Sequence, residues 1–136
     1  MQKIWTLAAL TLIGAWMEVG LGMAASLSNP TQTVSGGGVA VKVSYLNPRG
    51  DDGPRFLVAL ETHSVALDGY DLKNLARLSD GQGRDQAPSA VENKGGGHHR
   101  EVFLTFPRVS PEAKSIELVV KDIAGVKERR FRWDLK

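Results

Sequence analysis

From Val39 onward, apolar residues fall on every second position. Val39, Val41, Val43 and Tyr45 alternate with Ala40, Lys42 and Ser44, the pattern of a strand with one face on a core and one toward water. The same spacing returns in Phe56, Val58 and Leu60, in Val102, Leu104 and Phe106, in Ile116, Leu118 and Val120, and in Phe131, Trp133 and Leu135. A helix repeats its faces about every 3.6 residues, so this spacing excludes a helical core.

Turn residues separate the runs. "NPRGDDGP" ends the first and "LDGYDL" follows the second. "LARLSDGQGRDQAPSAV" reads as two short strands around Asp80-Gly81-Gln82-Gly83, where glycine supplies the positive φ of a hairpin. "AGVKE" turns the chain before its last strand. Only "YDLKNLARL" competes as a helix, and it is short and glycine-bounded. About seven short strands at regular spacing predict an all-β fold, an antiparallel immunoglobulin-like β-sandwich over residues 39–136. Within it, the second and fifth strands are expected as antiparallel neighbours.

Two segments precede that domain. Residues 25–38, "ASLSNPTQTVSGGG", are polar and small and read as a flexible lead-in. Residues 1–24 read as a signal peptide: Lys3, an apolar run from Ile4 to Met17, then Gly22 and Ala24 in a small-x-small pattern. The run is short against the roughly 20 residues a membrane span needs, so a retained anchor is the second reading. The expected product is exported, periplasmic or extracellular, with no stable membrane insertion after cleavage.

Composition narrows the chemistry. Cysteine is absent, which removes disulfides, thiolate zinc sites, blue copper, haem attachment and cysteine nucleophiles. The net charge of +2 and the dispersed basic residues argue against a nucleic-acid partner. In "RRFRW", Phe131 and Trp133 share one strand face while Arg130 and Arg132 take the other, a core side and a solvent side rather than a binding stripe. Thr62-His63-Ser64 is no catalytic dyad, because sequence neighbours on a strand face apart. Asp51-Asp52 and Asp68/Asp71 are turn aspartates without the spacing of a calcium loop. No enzyme is expected.

The least ordinary stretch is "GGGHHR", Gly95 to Arg100, which holds two of the three histidines. Pairing Phe56 with Phe106 sets Val58 against Leu104 and Leu60 against Val102 on a core face. The same register sets Glu61 opposite Glu101 and His63 opposite His99 on the other face. Carboxylate and imidazole together suit copper, zinc or nickel, and the glycines give His98 the freedom to turn in. The expected metal ligands are therefore His63, His98, His99, Glu61 and Glu101, with copper or zinc as the candidate ion. The competing reading is a structural or protein-interaction module whose histidines only brace a loop.

Three segments carry a resemblance. "FLVALETHSVALDGYDL", "GGGHHREVFLTF" and "AKSIELVVKDIAGVKERRFRW" resemble a family of uncharacterised exported prokaryotic proteins with THS, GGHHR and GVxERxFxW motifs. The match places Thr62, His63 and Ser64 on the first motif and Gly96, Gly97, His98, His99 and Arg100 on the second. Gly125, Val126, Glu128, Arg129, Phe131 and Trp133 fall on the third. Where that family often carries a tryptophan before the glycines, this chain has Val91. The resemblance implies a shared strand order and histidine placement, and no particular activity.

Overall fold

The structure is a computed structural model that describes residues 30–50 and 52–135; the expected signal peptide lies outside the described residues. Nine strands are found among them: β1 (Thr31–Gly36), β2 (Val39–Tyr45), β3 (Arg55–Thr62), β4 (Ala76–Ser79), β5 (Asp85–Gln86), β6 (Ala90–Gly96), β7 (His99–Thr105), β8 (Ser115–Ile123) and β9 (Val126–Asp134). One helical turn, α1 (Leu72–Leu75), follows Asp71, whose carboxylate accepts from the Lys73 backbone N–H.

All pairings are antiparallel, in a five-stranded sheet β1-β2-β3-β7-β6 and a four-stranded sheet β5-β4-β8-β9. The runs β2-β3-β7-β6 and β4-β8-β9 reproduce the A-B-E-D and C-F-G order of an immunoglobulin-like sandwich. The fold class read from the alternation therefore holds, with nine strands in place of about seven.

Two strands went unread, for one physical reason. β1 and β6 are edge strands that bury little: Thr31–Gly36 has no fully buried residue, and β6 is exposed apart from half-buried Val91. Backbone pairing rather than an apolar face holds them, so no alternation marks them. Within the flexible lead-in expected at 25–38, Thr31–Gly36 is thereby corrected, since it forms a full ladder with β2. Gln32 also closes that edge of the sandwich. Its side-chain amide donates to the Arg132 carbonyl at 2.6 Å and accepts the Arg132 N–H at 3.3 Å, substituting for a rung of backbone ladder on β9.

The inward residues of both sheets form one core. At one pole it is aromatic: Tyr45, Phe56 and Trp133 have ring centroids 4.9–5.7 Å apart, and Phe106 meets Phe56 edge-on at 5.8 Å. Burying each such ring stabilises the fold by roughly 2–3 kcal/mol. At the other pole three two-residue hairpins come together. They turn at Gly37-Gly38, at Gly97-His98 and at Ala124-Gly125. Gly37 lies so close to the third hairpin that a Cβ there would sit 2.1 Å from the Ala124 carbonyl oxygen.

Two buried arginines organise this hairpin pole. Arg129, 1% exposed, donates to the carbonyls of Ile123 and Gly36 at 2.9 and 2.7 Å and reaches that of Val39 at 3.5 Å. Arg100 donates to the carbonyls of Leu67 and Tyr70 and to the Asn93 side chain. Arg129 thus joins the two sheets, and Arg100 fixes the link that passes between them.

Candidate functional site

"GGGHHR" is a tight hairpin. Gly96 pairs with His99, which leaves Gly97 and His98 as the two-residue loop between β6 and β7. Gly97 has φ +73°, as glycine does at the first position of a type II′ turn. His98 is therefore a turn residue, and His99 is the first residue of β7, on the outer face of the sheet.

The strand neighbours were read correctly, but the register differs by two residues. Phe56 pairs with Leu104, Val58 with Val102, Ala59 with Glu101 and Glu61 with His99. A shift of two keeps every side chain on its face, so the apolar pattern cannot distinguish the two registers. Contacts at the strand ends decide it. Phe106 lies beyond β7, fully buried, with its N–H on the Pro54 carbonyl, and the Thr62 N–H binds the His98 carbonyl at 3.0 Å. His63 consequently lies past the end of β3 and is not opposite His99.

The corrected register builds a different cluster. His99 stands between two carboxylates, with Nδ1 3.3 Å from Glu61 and Nε2 3.2 Å from Glu101. A neutral imidazole has one N–H, so it can donate to only one of them at a time. All three side chains are substantially exposed, at 56%, 51% and 40%, which limits each contact to about 1 kcal/mol or less. The ring is held loosely enough to leave.

Beside this line lies a cavity of about 500 Å³ at the hairpin pole. Its rim carries His63, His98, His99 and Glu61, and its floor is backbone and small side chains of β1 and β2, including Gly36 and Val39. The Arg129 guanidinium, bound to the carbonyls of both floor residues, lies directly beneath; burial lowers its pKa, and Tyr70 partly opposes the shift. Four of the five expected ligands thus line one cavity, and Glu101 joins only through the far side of His99. Among the described residues, no three His, Asp or Glu side chains stand close enough together to hold an ion without moving.

Thr62 is the positioning residue that the motif reading passed over. Its hydroxyl donates to the Gly38 carbonyl at 2.8 Å and accepts the N–H groups of Ser64 and Val65. One side chain so fixes the backbone just after His63 and ties it to the neighbouring hairpin. A threonine ending an apolar strand before "HS" is a local signal for such a turn. The "RRFRW" segment divides as read: Phe131 and Trp133 are buried, Arg130 and Arg132 are exposed, and Glu117 and Glu128 bind Arg130 and raise its pKa.

Comparison with known proteins gives no match to a protein family, a curated protein or a solved structure. No helix among the described residues is long and apolar enough to cross a membrane.

Proposed function

We propose that the chain is an exported, non-catalytic binding module whose hairpin-pole cavity captures a divalent transition metal, copper or zinc. One observation carries this reading: every histidine in the sequence, from two segments over thirty residues apart, lines the same cavity together with Glu61. Imidazole and carboxylate suit these ions. His63 and His98 are exposed, and His99 joins them by exchanging a weak carboxylate contact for the metal. The backbone under the site is fixed by Thr62 and Arg129, so only side chains need to move.

A second reading rests on His99 itself. Both of its ring nitrogens already face carboxylates, which favours a protein-interaction module whose histidines brace the rim. Calorimetric titration with Cu²⁺ and Zn²⁺ separates the two. Stoichiometric heat that disappears in His63→Ala and in His98→Ala establishes the metal site. No heat above the buffer blank at micromolar metal leaves the interaction module.

A further inference from the structure

The opposite pole has a cavity of its own, about 640 Å³, within the size range of small-molecule sites. Val39 and Tyr45 are the two ends of β2 and line one cavity each, so the two sites are about 20 Å apart along the strand.

Its construction combines an apolar floor with a rim of two arginines, Arg49 and Arg108, and one carboxylate, Asp52. Tyr45 lies at the base, backed by Phe56 and Trp133; Pro48, Pro54, Val109 and Leu135 form walls. Leu46, the exposed large hydrophobic among the described residues, adjoins this pole. Described residues of both flanking loops are tied by hydrogen bonds. Asn47 bridges the first, donating to the Gly53 carbonyl and accepting the Arg55 N–H. Gly53 is pressed so tightly on the Phe106 carbonyl that a Cβ would sit 1.9 Å from it. In the second loop, Ser110 accepts the N–H groups of Ala113 and Glu112. Walls fixed before binding reduce the ordering cost a ligand must overcome.

Arg49 and Arg108 supply the charge. Among the described residues Arg108 pairs with Asp52 alone, at 3.6 Å, with the two side chains 71% and 92% exposed. Such a pair is weak, and a guanidinium with five donors can take a second carboxylate in a forked contact. Among the described residues, Arg49 pairs with no carboxylate. Rigid apolar walls below two guanidiniums fit a compact ligand that joins an apolar body to a carboxylate.

We infer that this cavity is a second binding site, for small aromatic or branched carboxylic acids, independent of the histidine cavity. Phenylacetate is a suitable probe, titrated into the ¹⁵N-labelled protein and followed by amide chemical shifts. Saturable shifts are expected at Tyr45, Val109, Ala113 and Leu135, with a Kd of about 1 mM for a ligand of this size. The double variant Arg49→Gln/Arg108→Gln should retain the folded spectrum, because both side chains are at the surface, and weaken binding at least about fivefold. Phenylacetamide, which has the same shape without the charge, should not saturate. The inference is overturned by an absence of saturable shifts up to about 10 mM. Equal binding of the amide, unchanged binding by the double variant, or shifts confined to the histidine hairpin overturn it equally.

Discussion

Arg129 carries a charge into the interior and meets only carbonyl oxygens there; its Nε has no acceptor among the described residues. The guanidinium stays protonated at any ordinary pH, so burying it is a constant cost that the two sheets offset by sharing it. Arg129→Met removes the charge but strands the carbonyls of Gly36 and Ile123, and we expect a net loss of about 3 kcal/mol in urea unfolding. Arg129→Lys should recover only part, because an ammonium cannot fork across two hairpins. Phase alone would have placed this residue inward: 129, 131 and 133 share a strand face, as do 100, 102 and 104. Polarity hid it, since arginine beside arginine reads as solvent-facing. Tyr45 makes a residue-scale prediction of the opposite kind. Burial raises its phenol above the ordinary 10.0, so the folded chain holds this proton after the unfolded chain has released it. The stabilisation is complete below pH 10 and is lost as pH rises from there through the folded value. The urea midpoint should fall less between pH 9 and 11 (roughly the window around a free phenol) in Tyr45→Phe than in the parent. Equal slopes would show that the phenol does not contribute.

At the scale of elements, the hairpins set what sequence could and could not say. "AGVKE" marked the turn at Ala124-Gly125 before any register was known, whereas Gly37-Gly38 was read into the lead-in; both positions of each turn have positive φ, as such turns need. The slip between β3 and β7 was invisible to the same reasoning, since period two survives a shift of two. It was settled by contacts between hairpins, such as that of Thr62 with Gly38 and His98, which no single strand encodes. That distinction can be measured with two glycines of like backbone. Gly125 has φ +75° and open space where a Cβ would go, whereas Gly37 has φ +62° and a carbonyl oxygen 2.1 Å away. Gly125→Ala should cost about 1 kcal/mol, the price of the left-handed conformation alone. Gly37→Ala adds a backbone collision and should cost about 3 kcal/mol or more. Chemical denaturation of both variants gives the packing energy between the first and third hairpins as the difference. Comparable losses would mean the two hairpins do not support each other.

Across the whole molecule, the alternation of Val, Leu and Phe was enough to name the sandwich, because every central strand buries one face. The histidine cavity was half legible: "HHR" and "THS" pointed to neighbouring strands, but bringing His63 near His98 depends on the turn after Thr62 and the hairpin loop rather than on cross-strand pairing. The chain has no disulfide, so its stability is packing and hydrogen bonding, and a ligand that binds only the folded state adds to it directly. The metal reading therefore predicts a thermal signature. At a free metal concentration of about 100 times Kd, linkage adds about 2.7 kcal/mol, which raises the melting temperature of a domain this size by roughly 10 °C or more. His63→Ala/His98→Ala should melt near the parent when metal-free, since both side chains are exposed, and should show no such rise with Zn²⁺ or Cu²⁺. Differential scanning calorimetry with and without chelator reads both quantities in one series. A parent whose melting temperature ignores metal has no folded-state site to fill, and the hairpin pole is then a surface for another protein; a double variant that still responds places the ion elsewhere on the sandwich.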